Sequence, residues 1–261
     1  MPSKVAVITG ASCGIGAALA SLLAARGLTV YGLSRRGTAP EGVRPVAVDV
    51  TDAAATQAAI DAILAETGQI DYAVLAAGAG IAGAVEHIPE DAAARQVAVN
   101  LLGVDNCLRA LTPALRASRG RVLAIGSVAG VFPIPFQAHY SATKAAVEAL
   151  VRAYGNEVRP FGIKAGVAML GDTRTGFTAA RTTFTEGDET YGGRITKSVA
   201  RMAHDEENGA SPERVARVLA HRLLGHMPPR FTVGASYRLL VMLDRLLPVS
   251  AVEKILSMLY G

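Results

Sequence analysis

Near the start of the chain, residues 5–16 read VAVITGASCGIG. The unbroken apolar run 5–9 predicts a strand buried on both faces of a parallel sheet, and a helix pattern begins at Gly14. Glycines at this junction permit a tight turn and let the backbone approach a pyrophosphate, whose charge the N–H groups at a helix start stabilise. The spacing departs from the simple dinucleotide fingerprint, so an ordinary strand-to-helix turn is the alternative. The residues predicted to bind a dinucleotide here are Gly10, Ser12, Cys13, Gly14, Ile15 and Gly16.

The alternation of short apolar runs and longer helix-like stretches continues along the chain. Further strands are predicted at residues 29–33, 46–48, 72–76, 120–125 and 163–169. Helices are predicted at residues 14–26, 53–67, 92–117, 141–158, 195–204, 212–224, 237–247 and 252–260. Strands alternating with helices predict a doubly wound, Rossmann-type α/β fold with a parallel sheet. We expect one domain over residues 1–261, within which about 176–261 form a substrate loop and a C-terminal helical extension.

The composition, 51% hydrophobic and 18% charged over 261 residues, is that of a globular protein. Two cysteines are too few for a disulfide framework or a four-ligand zinc site, so no metal is predicted and a reducing compartment, the cytoplasm, is expected. Basic residues form no runs and aromatic residues are only 5% of the chain, which argues against nucleic-acid binding. The uncharged run 122–143 contains prolines and hydroxyls and is expected to be a buried strand and loop, not a membrane span. Residues 1–4 carry no secretion pattern.

The end of the second predicted strand carries two arginines, Arg35 and Arg36. Enzymes that prefer the non-phosphorylated cofactor place an acid about 20 residues after the glycine loop, where it binds the ribose 2′-hydroxyl. Glu41 is the only acid between residues 17 and 48, and it lies beyond the strand. An arginine fork binds a 2′-phosphate through charge-assisted hydrogen bonds. The sequence therefore predicts NADP(H), with Arg35 as the main contact; the alternative is two solvated surface arginines.

A candidate proton-transfer group follows in the middle of the chain. Ser127 ends a predicted strand, and Tyr140 and Lys144 lie four residues apart, which places them on one face of a helix. A nearby ammonium is expected to lower the phenol pKa by about 1–3 units, so that Tyr140 exchanges a proton with an alcohol or carbonyl oxygen. Ser127 is placed to donate a hydrogen bond to that oxygen. The alternative is a half-buried tyrosine beside a lysine whose amine reaches solvent.

Together these motifs resemble the short-chain dehydrogenase/reductase superfamily. The matching segments run in family order over about residues 4–180, and they are residues 9–16, Asp49 in DVTD, Asn100 in VNLLG, Ser127 in IGS, and Tyr140 with Lys144. The resemblance implies that Tyr140 is the acid–base group, that Lys144 tunes it and binds the nicotinamide ribose, and that Ser127 orients the reacting oxygen. It also implies that Asn100 supports a water-linked proton path.

Two segments depart from the family pattern. The Asn-Ala-Gly element after the fourth strand reads Ala76-Ala77-Gly78, which removes an amide that usually braces the central sheet. The Pro-Gly-x-x-x-Thr element after the sixth strand reads LGDTRT at residues 170–175, without the proline. The cofactor contacts implied beyond the glycine loop and the arginines are Asp49 and Val50 beside the adenine, Ala77, Gly78, Tyr140, Lys144, Thr173, and Thr175 at the nicotinamide end.

Apolar residues lie near the predicted site, namely 132–136, Phe177 and Phe184. They predict a pocket for a lipid-like, steroid-like or other bulky hydrophobic ketone or alcohol. A position in the hydrophobic core explains these residues equally well. The polar segment 182–193 is a candidate mobile segment over the site. The amphipathic segments 237–247 and 252–260 have three interpretations, namely a lid, a subunit interface or a peripheral membrane contact. A lid or subunit contact is favoured because short-chain dehydrogenases are commonly homo-oligomers, so a homodimer or homotetramer is expected.

The function predicted from these residues is an NADP(H)-dependent oxidoreductase that interconverts a ketone or aldehyde and an alcohol by hydride transfer, with Tyr140 as general acid and base. A catalytically silent NADP(H)-binding sensor or regulator on the same fold is the alternative. The presence of Ser127, Tyr140 and Lys144 together favours the enzyme.

Overall fold

The computed structural model describes residues 3–260, so Met1, Pro2 and Gly261 of the predicted domain lie outside the described residues. The strands in this range are β1 (Val5–Thr9), β2 (Thr29–Ser34), β3 (Arg44–Ala47), β4 (Tyr72–Leu75), β5 (Ile81–Ala82), β6 (Arg121–Ser127), β7 (Lys164–Leu170), β8 (Thr182–Thr183) and β9 (Arg230–Thr232). Seven of them form a parallel sheet in the order β3-β2-β1-β4-β6-β7-β9, and β5 pairs with β8 separately. This arrangement confirms the predicted doubly wound fold.

Helices cover both faces of this sheet. The helices of the described range are α1 (Gly14–Ala25), α2 (Ala53–Thr67), α3 (Glu90–Val97), α4 (Gly103–Ser118), α5 (Ala138–Val158), α6 (Phe177–Ala180), α7 (Arg194–Glu207), α8 (Pro212–Leu224), α9 (Ala235–Asp244) and α10 (Val249–Tyr260). Local sequence sets several of their ends. Asp52 caps α2 by accepting a hydrogen bond from the Ala55 N–H, and Ser211 caps α8 by accepting one from Arg214. Gly68 ends α2 in the left-handed conformation that glycine adopts without strain.

Alternate residues of β1 point into two separate hydrophobic clusters. Val5 and Val7 pack into the cluster that includes α2, α4 and α5, whereas Ala6 and Ile8 pack with α1 and α8 on the opposite face. All four side chains are at most 3% exposed. Burial of a Val or Ile side chain stabilises the fold by about 1.5–3 kcal/mol. A shift of the pairing of β1 by one residue would exchange its two faces, so burial on both faces stabilises the observed pairing with β2 and β4.

The strand order reverses between β1 and β4. From β1 the chain moves outward through β2 and β3, then returns to β4 on the other side of β1 and continues outward through β6 and β7. Parallel strands end at the same edge of a sheet, and loops that leave adjacent strands in opposite directions open a crevice between them. The fold therefore positions the ligand site at the carboxyl ends of β1 and β4.

Most predicted elements agree with the structure within a few residues, but two features differ. The predicted helix 92–117 is divided by a π-helical turn, Ala98–Leu102, that joins α3 to α4. The strands β5, β8 and β9 were not predicted, because two or three residues are too few to produce a periodic pattern. The polar segment 182–193 begins in β8, and its mobility stays a prediction.

The C-terminal extension consists of the helices α9 and α10. The two helices and the connection between them carry exposed apolar side chains, which are Leu239, Leu240, Met242, Leu243, Leu246, Leu247, Val249, Ile255, Met258 and Leu259. Both helices are anchored through the buried residues Val241, Val252 and Leu256. None of the helices between residues 3 and 260 is both long enough and apolar enough to cross a membrane.

Candidate active site

A cleft of about 850 Å³ opens at the carboxyl ends of the strands, at the predicted crevice. This volume lies in the range typical of small-molecule and cofactor sites. The structure brings all but one of the predicted site residues to its wall, and these are Gly10, Ser12, Cys13, Gly14, Ile15, Gly16, Arg35, Arg36, Asp49, Val50, Ala77, Gly78, Ser127, Tyr140, Lys144, Thr173 and Thr175. Asn100 lies behind the wall.

The glycine loop brings backbone segments close together at one end of the cleft. Gly10 has φ +68°, and a Cβ atom there would lie 2.8 Å from the Ala76 carbonyl oxygen. A Cβ on Gly16 would lie 2.3 Å from the Gly10 carbonyl oxygen. The first turn of α1 contains no acidic residue, and the Cys13 side chain does not cap it. The N–H groups at the start of α1 are therefore free of side-chain caps and suited to bind phosphate.

Asn100 braces the cleft wall from inside the protein. Its Oδ1 atom accepts a hydrogen bond from the Ala79 N–H at 2.8 Å, and its Nδ2 donates to the Ala79 carbonyl and to the Thr143 hydroxyl. The side chain thus joins the loop after β4 to helix α5 and is only 1% exposed. The water-linked proton path stays a prediction.

Thr9 connects the two central strands where Ala76 stands in place of the family's asparagine. The Thr9 hydroxyl oxygen accepts hydrogen bonds from the backbone N–H groups of Ala76 and Ala77, at 3.0 and 3.1 Å. These bonds tie the end of β1 to the loop after β4. Ala76 therefore leaves the two central strands connected.

Ser127, Tyr140 and Lys144 meet where β6 ends and α5 begins. The Lys144 ammonium lies 5.6 Å from the centroid of the Tyr140 ring and donates a hydrogen bond to the Ile125 carbonyl at 2.8 Å. The Ser127 hydroxyl oxygen accepts a hydrogen bond from the Ala129 N–H at 3.1 Å. A strand end and a helix face thus place a hydroxyl, a phenol and an amine side by side, as the sequence predicted.

The predicted direction of the Tyr140 pKa shift is wrong in this structure. Burial raises the pKa of Tyr140 to about 12 and outweighs a hydrogen bond with Ser127, which lowers it. Lys144 does not offset this effect because its own pKa is lowered by burial to about 8 and its amine is directed at the Ile125 carbonyl. The phenol is therefore neutral at physiological pH.

The family model of short chain dehydrogenases matches residues 4–186 of this chain. Over 239 residues the chain is 37% identical to a 3-ketodihydrosphingosine reductase of Bacteroides thetaiotaomicron, covering 90% of this chain and 89% of that protein. It is 31% identical to the 3-oxoacyl-[acyl-carrier-protein] reductase FabG of Escherichia coli over 186 residues, which cover 68% of this chain and 76% of that protein. A solved short-chain dehydrogenase from Streptomyces avermitilis superposes with a TM-score of 0.84 at 28% identity, covering 98% of this chain and 95% of that one.

The chain belongs to the short-chain dehydrogenase family. It is thus a member of an oxidoreductase family whose relatives here act on CH–OH and C=O groups. The glycine loop of this short-chain dehydrogenase fits a nicotinamide dinucleotide, since its glycines leave no room for side chains and α1 begins without a side-chain cap.

Three arginines lie around the outer end of the dehydrogenase cleft. Arg35 and Arg36 line it as predicted, and Arg36 donates a hydrogen bond to the Ser12 hydroxyl at 3.3 Å. Arg95, from α3, also lines the cleft and was missed by sequence reasoning because helix periodicity marks it only as an exposed position. The pKa of Asp49 is lowered, first by the backbone N–H of Thr51 and also by the charges of Arg35 and Arg95.

The inner end of the cleft contains fewer of the predicted apolar residues than expected. Of the segment 132–136, Ile134 alone lines the cleft, together with Phe177, whose ring centroid lies 5.6 Å from that of Tyr140. Phe184 packs against Gly83 instead. The prediction that the whole set forms the pocket is therefore wrong; Phe136, for example, packs edge-on against Tyr191 outside the cleft.

Several residues of the inner end were not predicted. They line the cleft beside Tyr140 and are Gln96, Gln137, Asp172, Met202, Glu206 and Tyr260. Three of them, Met202, Glu206 and Tyr260, come from the last third of the chain, where no motif marks them, whereas Asp172 lies within the segment 170–175. The buried amide groups of Gln96 have no hydrogen-bond partner among the described residues. Only the folded chain brings this set together, so the sequence held no signal for it.

Proposed function

We propose that this short-chain dehydrogenase is an NADP(H)-dependent reductase of hydrophobic long-chain ketones, with Tyr140 as its proton donor. The observation that carries the proposal is the meeting of Ser127, Tyr140 and Lys144 at the inner end of a cleft whose outer end is the glycine loop. The similarity to a 3-ketodihydrosphingosine reductase over nine-tenths of the chain supports the substrate class. A 3-ketodihydrosphingosine is a long-chain amino ketone.

The proton chemistry follows from the three side chains. NADPH, when bound, supplies the hydride. The Ser127 hydroxyl hydrogen-bonds the carbonyl oxygen, and the neutral Tyr140 phenol donates its proton to that oxygen as charge develops there. The hydrogen bond with Ser127, which lowers the pKa of Tyr140, stabilises the phenolate that is left, and Lys144 is placed to bind the nicotinamide ribose. A phenol pKa of about 12 favours this direction, because the phenol holds its proton until the stronger alkoxide base forms.

The preference for NADP(H) is supported by charge at the outer end. Arg35, Arg36 and Arg95 surround this part of the cleft. Asp49, the nearest carboxylate among the predicted contacts, accepts hydrogen bonds from the backbone N–H and hydroxyl of Thr51. Positive charge therefore exceeds negative charge where a 2′-phosphate binds.

The apolar substrate end is supported by Ile134, Phe177 and Met202, which line the cleft beside Tyr140. Cys13 is an exposed free thiol in the cofactor loop, which supports work in a reducing compartment, the cytoplasm. A homodimer or homotetramer stays a prediction.

The test is a panel of ketones reduced with NADPH and, separately, with NADH, monitored by loss of the reduced-nicotinamide absorbance. We expect hydrophobic ketones to be reduced faster than small charged ones, with NADPH preferred. Tyr140→Phe is expected to lower kcat by about 10²- to 10⁴-fold while NADPH still binds. Turnover that survives Tyr140→Phe contradicts the assignment, and tight NADPH binding without reduction of any ketone indicates a sensor.

A further inference from the structure

A carboxylate is held in a defined position at the inner end of the cleft. Asp172 follows β7 and lines the cleft near Tyr140, whose pKa its charge helps to raise. The Tyr237 hydroxyl, from α9, donates to Asp172 Oδ2 at 2.5 Å and accepts from the Asp172 backbone N–H at 3.1 Å. On the other side Gly209 packs so closely that a Cβ there would lie 2.4 Å from the Asp172 carbonyl carbon. The carboxylate is therefore oriented before any substrate arrives.

Asp172 is the carboxylate of this region that has no cation within ion-pair distance, although the charge of Arg181 acts on it from farther away. Glu206 pairs with Arg181 and also accepts a hydrogen bond from Thr178. Asp205 pairs with Arg201. Among the ion pairs of residues 3–260, none involves Asp172, although burial raises its pKa. A partly buried carboxylate held only by a tyrosine hydroxyl is stabilised when a cation binds beside it.

A second polar group faces the same cleft without a partner. Gln137 lies three residues before Tyr140, lines the cleft and is only 4% exposed. Its backbone N–H and carbonyl bond to Ile134 and Ser141, but its side-chain amide makes no hydrogen bond within the described residues. The amide therefore keeps donor and acceptor groups that a polar substrate group in the cleft can use.

We infer that Asp172 recognises a positively charged amino group next to the reacting carbonyl, and that Gln137 accepts a hydrogen bond from a polar group of the same substrate. This inference rests on the proposed function and narrows it from hydrophobic ketones to amino ketones with a hydrocarbon tail. The ammonium forms a charge-assisted hydrogen bond with Asp172, while Ile134, Phe177 and Met202 contact apolar parts. Tyr237 acts as a positioning residue, because it touches Asp172 and not the reacting atoms.

The experiment compares soluble, shorter-chain forms of 3-ketodihydrosphingosine with the same ketones lacking the amino group, using NADPH and the full-length protein. We expect the wild type to prefer the amino ketone by about 10- to 100-fold in kcat/KM, the range of a hydrogen bond to a charged group. Asp172→Asn is expected to bring the kcat/KM ratio of the two ketones close to 1; the rate with the amine-free ketone reports separately the loss of the charge that acts on Tyr140. Asp205→Asn is the matched control, because it removes a nearby carboxylate that is already paired, and it is expected to keep the preference.

Tyr237→Phe provides a second variant if Asp172→Asn does not fold. It keeps the ring that packs against Gly171 and removes only the hydroxyl that orients Asp172. The kcat/KM ratio of the amino ketone to the amine-free ketone is therefore expected to fall by a few-fold. Equal reduction of both ketones by the wild type overturns the inference and leaves the proposed function standing. An equal loss with both ketones in Asp172→Asn also overturns it, since that result indicates a structural role. If neither ketone is reduced although NADPH binds, the proposed function fails and the inference falls with it.

Discussion

The two ends of the cleft are built from different kinds of structure. At the outer end, the backbone of the glycine loop forms the wall, and the nearby side-chain charge is positive, from Arg35, Arg36 and Arg95. At the inner end the wall consists of side chains from the middle of the chain, such as Tyr140, and from its last third, such as Tyr260, and its charge includes Asp172 and Glu206. Backbone at the edge of a parallel sheet is set by the fold, whereas side chains on loops and added helices vary freely. We therefore expect cofactor binding to depend on the outer end of the cleft and substrate selectivity on the inner end.

The largest expected effect comes from the glycine loop. In Gly16→Ala the new Cβ would lie 2.3 Å from a backbone carbonyl oxygen, which no side-chain movement relieves. We expect the NADPH dissociation constant to rise at least about 100-fold, or about 2.7 kcal/mol, by isothermal titration calorimetry. Gly27→Ala is the control, because Gly27 has the positive φ that Gly16 lacks, whereas nothing lies within 4 Å of its Cβ position, so its alanine is strained without a close contact. An affinity that changes equally in both variants would show that backbone strain, not close approach, matters.

Next in size is the charge at the outer end. Replacing Arg35 and Arg36 together by Ala removes the guanidinium groups predicted to bind the 2′-phosphate. We expect NADPH to bind about 30- to 100-fold more weakly, the range of charge-assisted hydrogen bonds, while NADH affinity stays unchanged. Arg26→Ala, at an exposed position outside the cleft, is the control. Equal losses for both cofactors would contradict the assignment of NADP(H) selectivity to these arginines.

Where the two ends of the cleft meet, burial of the Lys144 charge is expected to lower the free energy of unfolding. Burial lowers its pKa from 10.5 to about 8, so between these values the folded state binds fewer protons than the unfolded state and stability rises with pH. Lys144→Met removes this titration. The stability of the variant relative to wild type is therefore expected to fall by about 2 kcal/mol from pH 7 to pH 9.5, measured by urea unfolding. A difference that does not change with pH would mean that the amine is not desolvated.

The smallest effect is expected at the inner end. The Tyr260 hydroxyl, from α10, hydrogen-bonds Asp205 at 3.1 Å beside the cleft. Tyr260→Phe is expected to lower the free energy of unfolding by about 1 kcal/mol, to change the KM for the ketone and to leave NADPH affinity unchanged. Tyr191→Phe, which loses a hydrogen bond to Glu86 outside the cleft, should not alter that KM. If Tyr260→Phe weakens NADPH binding instead, the two ends are not independent.

Long-range contacts account for what the sequence did not predict. Asp172 and Tyr237 are 65 residues apart and meet only after β7 and α9 have packed. Arg95, on α3, approaches Asp49 in the loop between β3 and α2, and no spacing rule links these two residues. The sign of the Tyr140 pKa shift was also not predicted, since helix spacing locates the Lys144 amine but does not reveal the burial of the phenol.

The sequence by itself determined the parts of this protein that depend on short-range forces. Those parts are the unbroken apolar run of β1, the glycines that permit close backbone contact between Gly10 and Gly16, and the helical spacing of Tyr140 and Lys144. Only the tertiary structure decided which carboxylates are paired and which groups are desolvated, because burial and charge pairing sum over residues far apart in the chain. The family and reaction class follow from these local sequence features. The inferred substrate selectivity follows from the burial and charge pairing that the tertiary structure creates.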